Sequence, residues 1–268
     1  MDERPIGVFD SGLGGLTVVK EIKKILPNER IIYLGDTARV PYGTRSKEAV
    51  TEFSLQNITF LEKKNVKCIV IACNTSSALA YSKIKAFTSL PTFEVIAPGV
   101  KAALSSGYIK RIGVIATRST IGSHAYKKAI LKRSPKTSVL EIACPLFVPL
   151  IEEGELKGKL IGYAVDKYLN PLLEEKIDTL ILGCTHYPLI RSQIAAKLKR
   201  VRIVDSGKTV AKELSVYLKL KEKDLLASKN GKPKDEYFVT DLTDRFLNIA
   251  EVFLGKKLKG SLRKISLE

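Results

Sequence analysis

The sequence predicts an α/β protein with two parallel-sheet layers, and three observations carry that reading. Short apolar runs rich in Val and Ile alternate with longer segments of helical period, the pattern of parallel strands covered on both faces. Nine such runs occur, many for one compact sheet. One unit also occurs twice, as Val66-Lys67-Cys68-Ile69-Val70-Ile71-Ala72-Cys73-Asn74-Thr75 and Ile177-Asp178-Thr179-Leu180-Ile181-Leu182-Gly183-Cys184-Thr185-His186. Each copy is an apolar strand, a small residue, a Cys and a hydroxyl-bearing turn that leads into a helix. Cys73 and Cys184 are 111 residues apart, near half the chain.

The elements follow in order. A strand at 6–9 runs into Asp10-Ser11-Gly12-Leu13-Gly14-Gly15, and a helix over 14–26 is stopped by Pro27. The strand at 31–34 ends in Gly35-Asp36-Thr37, and Ser46 can cap a helix at 46–64. A strand at 68–72 delivers Cys73-Asn74-Thr75 to a helix at 76–87. After the strand at 93–96, Pro98 marks the start of a helix over 99–106. The strand at 112–116 leads through Thr117 and Thr120 into a helix at 119–133. The strand at 139–143 ends at Cys144-Pro145, with a helix at 156–175 beyond it. A strand at 180–182 delivers Cys184-Thr185-His186 to a helix at 188–200. Two further pairs close the chain, strand 201–204 with helix 208–227 and strand 237–239 with helix 243–254.

Composition narrows the function classes. The 268 residues are 45% hydrophobic and 27% charged, enough apolar surface for a core and against disorder. The longest apolar runs, such as 68–73, fall far short of a membrane span. Met1-Asp2-Glu3-Arg4-Pro5 lacks the basic head and apolar centre of a signal peptide, so a cytosolic protein is expected. Lys and Arg number 45 against 28 Asp and Glu, a net charge of +17. Such an excess suits either a nucleic-acid binder or a Lys-rich solvated surface. The basic residues are spread among acidic ones, as in Lys221-Glu222-Lys223-Asp224, without a basic block, which favours the surface; no specific nucleic-acid partner is expected. The single Met, the absence of Trp and Gln only at Gln56 and Gln193 lean towards a thermophile. The four cysteines form no CxxC pair and are joined by only two histidines, which argues against disulfides and structural zinc.

Ligands of parallel sheets bind outside the carboxyl ends of the strands, where the small and polar residues of this chain gather. Gly12-Leu13-Gly14 begins a dinucleotide fingerprint, but its third position falls on Thr17. The loop reads better as a tight turn whose N–H groups face a small anion such as a carboxylate. Cys73 and Cys184 each precede a helix start, where the dipole favours thiolate, and adjoin hydroxyl or amide groups able to orient a ligand. Cys68 and Cys144 read as structural. His186 can serve as a proton partner for Cys184, a pairing that equally fits a thiol hydrolase. His124 reads as an ordinary helical residue. Asp10 reads as a carboxylate facing the same crevice as Cys73, and spacing alone does not separate Glu152 from Glu153.

Four motifs then carry a resemblance. Gly7-Val8-Phe9-Asp10-Ser11-Gly12-Leu13-Gly14-Gly15, Asp36-Thr37-Ala38-Arg39-Val40-Pro41-Tyr42-Gly43, Ala72-Cys73-Asn74-Thr75 and Gly183-Cys184-Thr185-His186-Tyr187-Pro188-Leu189 resemble the glutamate racemase family in order and spacing. The resemblance implies two similar α/β domains, related by a pseudo-two-fold and facing each other across the active site. With the strand–Cys pair and Pro98-Gly99 as crossover, one domain is expected over 1–97 and 208–268, the other over 98–207. It also implies that Cys73 and Cys184 are acid/base catalysts on opposite faces of the substrate. Cys73 would remove the α-proton of D-glutamate and Cys184 that of L-glutamate. Asp10 would assist Cys73, and His186 would assist Cys184 with Glu152 close by. Asp10, Ser11, Tyr42, Gly43, Asn74, Thr75, Thr185 and His186 would hold the substrate, with Thr117 and Thr120 on its carboxylates. The family uses no pyridoxal phosphate or metal, supplies D-glutamate for peptidoglycan, and often forms homodimers. The chemistry is coherent: inversion at Cα needs a base on one face and an acid on the other, and two thiols can exchange those roles. Aspartate racemases, the nearest rivals, usually carry Glu where this chain has His186, and related decarboxylases need only one of the two cysteines.

Overall fold

The computed structural model describes residues 2–105, 109–220, 225–227, 234–255, 257–258 and 261–267. The first half of the chain runs β1 (Ile6–Asp10), α1 (Leu16–Ile25), β2 (Ile31–Gly35), α2 (Lys47–Lys63), β3 (Cys68–Ile71), α3 (Asn74–Leu79), α4 (Tyr81–Phe87), β4 (Thr92–Glu94) and α5 (Ile96–Leu104). The second runs β5 (Arg111–Ala116), α6 (Arg118–Ser123), α7 (Ala125–Arg133), β6 (Ser138–Ala143), α8 (Phe147–Glu152), α9 (Lys159–Glu174), β7 (Thr179–Gly183), α10 (Arg191–Lys197), β8 (Arg202–Asp205) and α11 (Ser206–Leu220). Then come β9 (Glu236–Val239), α12 (Asp244–Leu254) and β10 (Leu262–Lys264). One sheet has the order β10-β9-β2-β1-β3-β4, the other β6-β5-β7-β8, and every pairing is parallel.

Strand order decides where the site lies. In the first sheet the chain leaves β1 towards β2 on one side and then places β3 on the other. In the second, β6 and β7 flank β5 in the same way. A crevice opens at each such reversal, outside the carboxyl ends of the strands. Register puts Phe9 opposite Ile71 and Ala116 opposite Gly183, so Cys73 and Cys184 each emerge one or two residues past equivalent ladder ends. The sequence repeat is thus a repeat of place in the sheet.

The central strands are buried on both faces. Ile6 and Val8 join a core continuous with residues of the second sheet, while Phe9 packs on the opposite face with Ile58, Leu61 and Phe238. No described helix is long and apolar enough to cross a membrane.

Several expected boundaries move for local reasons. Glu94 accepts from the N–H groups of Ile96 (2.5 Å) and Ala97 (2.7 Å), so the helix begins at Ile96 and the preceding strand ends at Glu94. The helix expected over 119–133 breaks at His124, which adopts φ 55° and pairs with Glu141 at 2.7 Å. The helix expected at 76–87 divides at Ala80, whose φ is −112°. The one expected at 188–200 opens as a 3-10 turn, Tyr187–Ile190. The short helix α8 went unforeseen because Pro149 reads as a breaker, yet Pro149 lies in its first turn, where no intrahelical donor is needed. Strand β10 is short and partly charged and gives no apolar run. The expected segment 221–224 of the helix over 208–227 lies outside the described residues.

Candidate active site

Cys73 and Cys184 line one cavity of about 630 Å³, within the range of small-molecule sites. Its wall is shared between the sheets. The first contributes Ser11, Tyr42, Gly43, Cys73, Asn74 and Thr75; the second contributes Thr117, Glu152, Cys184, Thr185 and His186. Both sulfur-bearing residues are buried, at 4% and 7% exposure. A glycine makes the meeting of the halves possible: a Cβ on Gly14 would lie 2.3 Å from Thr185 Oγ1 and 2.5 Å from His186 Nδ1. Thr17 Oγ1 donates to Thr185 O at 2.9 Å and ties the same two loops together.

Cys73 caps α3, its sulfur accepting from Ser76 N–H at 3.5 Å with Ser11 Oγ at 3.6 Å. Burial, with the charge of Asp10 adding to it, pushes this thiol up to about 11 against those hydrogen bonds. Raised in this way, the thiol holds its proton at neutral pH. Asp10 lies behind the wall. Its Oδ2 accepts from Gly15 N–H (3.0 Å) and Gly12 N–H (3.3 Å), while Oδ1 is buried with no hydrogen-bond partner among the described residues. Burial raises its carboxyl above the usual range, opposed by nearby His186 and by those turn N–H groups.

Around Cys184 the arrangement differs. His186 Nδ1 lies 3.8 Å from the sulfur and its Nε2 lies 2.9 Å from Glu152 Oε1. Burial alone would lower the imidazole, but the hydrogen bonds to Cys184 and Glu152 overcome it and raise it to about 10. An imidazolium donates through both ring nitrogens, one to the sulfur and one to the carboxylate. Phe253 of α12 packs edge-on against the ring at 5.0 Å. Glu152, inseparable from Glu153 by spacing, is thus the one on His186, although both line the cavity.

The remaining expected residues are largely engaged with one another or with other parts of the fold. Thr75, Thr117 and Thr120 close a hydroxyl triangle with edges of 3.0, 3.1 and 3.0 Å; Thr120 stands behind the cavity wall. Asn74 Oδ1 accepts from Tyr126 at 2.6 Å, and its Nδ2 donates to Ser206 at 3.5 Å. Tyr42 donates its hydroxyl to buried Asp36, which Arg39 also holds at 2.7 Å, so its side chain secures the loop and leaves the backbone to the cavity. Sequence reasoning missed Cys144, Val148, Arg118, and the Thr243, Phe246 and Ile249 wall at α12. In the sequence Cys144 reads as structural from its place before Pro145. Helix α12 reaches the site only through the tertiary fold, which leaves no local signal. Among the described residues no group of three or more His, Cys, Asp or Glu gathers in a way that would hold a metal.

Comparison with known proteins identifies the family. A family described as Asp/Glu/Hydantoin racemase matches residues 6–214. A glutamate racemase of Neisseria meningitidis is 46% identical over 258 residues, 96% of this chain and 95% of that protein. One from Aquifex aeolicus is 44% identical over 254 residues, 95% of each chain. Among solved structures, glutamate racemase from Francisella tularensis in complex with D-glutamate superposes with a TM-score of 0.92 at 42% identity, covering 100% of this chain and 99% of that one.

Proposed function

The chain belongs to the Asp/Glu/Hydantoin racemase family and is an amino-acid racemase, and from that premise we propose that it interconverts L- and D-glutamate with two cysteines and no cofactor. One observation carries the mechanism: the two buried sulfurs come from equivalent strand ends of different sheets and open on one cavity. Cα of the substrate would sit between them. Starting from L-glutamate, Cys184 takes the α-proton beside the positive charge of His186, while Cys73, protonated at neutral pH, delivers a proton to the opposite face. From D-glutamate the two exchange roles. Asp10 acts through Cys73, and Glu152 holds His186 in the orientation its role needs. Ser11, the Tyr42-Gly43 backbone, the first-turn N–H groups of Asn74 and Thr75, Thr117 and Thr185 supply donors to the substrate, and Thr120 supports Thr75 and Thr117 from behind. The two halves of this machine would be the domains 1–97 with 208–268, and 98–207. A cytosolic homodimer supplying D-glutamate for peptidoglycan follows from the same family reading.

Racemisation of glutamate should greatly exceed that of aspartate in a chiral assay with both enantiomers of each. Activity should also survive exhaustive chelation and treatment that strips pyridoxal. Comparable aspartate turnover would overturn the substrate assignment; activity lost to EDTA and restored by metal would overturn the cofactor-free mechanism.

A further inference from the structure

We infer that Thr17 and Tyr126 are positioning residues that cross between the sheets, each holding the turn that carries the other sheet's cysteine. The inference rests on the two-cysteine reading of the cavity and deepens it.

Topology makes the pair equivalent. The neighbours β2-β1-β3 of the first sheet match β6-β5-β7 of the second, so α1 after β1 corresponds to the helices after β5. Thr17 is the second residue of α1, and Tyr126 is the second residue of α7. From the first sheet, Thr17 Oγ1 donates to Thr185 O at 2.9 Å, sharing its proton with Gly14 O at 2.8 Å in its own turn. From the second, Tyr126 donates its hydroxyl to Asn74 Oδ1 at 2.6 Å. Thr185 directly follows Cys184, and Asn74 directly follows Cys73. Each clamp therefore grips the residue next to the opposite sulfur. Both clamping side chains are buried, so little water competes for these bonds.

The grip acts on the parts that place sulfur. The Thr185 carbonyl belongs to the peptide that joins Thr185 to His186, so fixing it sets both Cys184 and the imidazole 3.8 Å from its sulfur. Asn74 opens α3, the helix that Cys73 caps through Ser76 N–H. Its amide donates onward to Ser206, which is fastened to Leu182 O of β7 at 3.0 Å. The Cys73 turn is thus tied to the strand that leads into Cys184. Proton transfer needs its reacting atoms about 3–3.5 Å apart, and a displacement of about 1 Å can cost about a hundredfold. Because the sulfurs come from different sheets, neither sheet sets that spacing alone; the crossed hydrogen bonds do.

The test uses Thr17→Val and Tyr126→Phe, which each remove one hydroxyl and keep the side-chain shape, the Phe ring still lying beside Gly183. Each variant should lower kcat for glutamate by about tenfold or more. Isotope effects should then cross. In Thr17→Val the transfers at Cys184 become the slow ones. The effect of Cα deuteration on kcat/KM should rise for L-glutamate, whose Cα–H bond Cys184 breaks. It should fall towards unity for D-glutamate, whose bond Cys73 breaks. In Tyr126→Phe the two should move the opposite way. Alkylation by iodoacetamide, read at each cysteine by peptide mass spectrometry, supplies a measure independent of turnover. It should quicken about fivefold at Cys184 in Thr17→Val and at Cys73 in Tyr126→Phe, the factor that one lost hydrogen bond is worth. Thr17→Ser, which restores the hydroxyl, should recover most of both. Turnover within twofold of the unmodified protein, or isotope effects and alkylation rates that shift alike for the two cysteines, would overturn the clamps. Failure of the unmodified protein to racemise glutamate would count instead against the two-cysteine reading, and the alkylation pattern would still judge the clamps.

Discussion

Replacing either Cys73 or Cys184 by Ala should abolish racemisation in both directions, by more than about a thousandfold in kcat/KM. The two enantiomers have equal free energy in water, so kcat/KM for L- and D-glutamate must be equal in any variant. No substitution can therefore leave a one-way enzyme. Each direction also needs both sulfurs, one to take the α-proton and one to deliver its replacement. Cys73→Ala additionally removes the acceptor for Ser76 N–H at the start of α3, a loss on the order of 1 kcal/mol in stability. Thermal unfolding monitored alongside the chiral assay separates that small effect from the loss of chemistry. A Cys73→Ala protein that racemises near the unmodified rate would refute the two-thiol assignment.

The largest stability effect is expected far from the cavity. Lys67, 1% exposed, and Glu29, 2% exposed, form an ion pair at 2.6 Å beneath the first sheet. Lys67 Nζ also donates to Asp2 O at 3.0 Å and Leu225 O at 2.6 Å, while Glu29 accepts from Ala227 N–H at 2.9 Å. The pair thus fastens the start of the chain and the stretch after α11 onto the sheet. Lys67→Met should lower unfolding free energy by about 3–5 kcal/mol, because Glu29 is left as a buried unpaired charge. The double variant Lys67→Met, Glu29→Leu should regain much of that loss in denaturant titrations. Additive losses would mean that the two charges act independently.

Much of the fold was legible because the strands are buried on both faces and therefore read as unbroken apolar runs, as in Ile69-Val70-Ile71 and Leu180-Ile181-Leu182. What escaped is what local pattern does not determine. His124 interrupts a helix that its neighbours favour, with Glu141 from the adjacent strand as its partner. Strand β10 depends on pairing with β9 rather than on its own Leu-Arg-Lys sequence. In the site, strand ends announced Cys73, Cys184 and His186, because sharp polar turns after apolar runs are visible in one dimension. The spending of Asn74 and Tyr42 on Tyr126 and Asp36 was not, since those partners come from elsewhere in the fold. The cavity wall from α12 is likewise a product of packing.

The central claim is that one thiol stands on each face of Cα, and hydrogen exchange during turnover in deuterated water tests it most directly. The arriving proton comes from a sulfur already equilibrated with solvent, while the departing proton goes to the other. Early product from L-glutamate should therefore be D-glutamate carrying deuterium at Cα, with the remaining L-glutamate still largely protiated, and the converse should hold from D-glutamate. A single base swinging between the faces would return much of the original hydrogen to the product, and product that is substantially protiated at low conversion would contradict the two-thiol site.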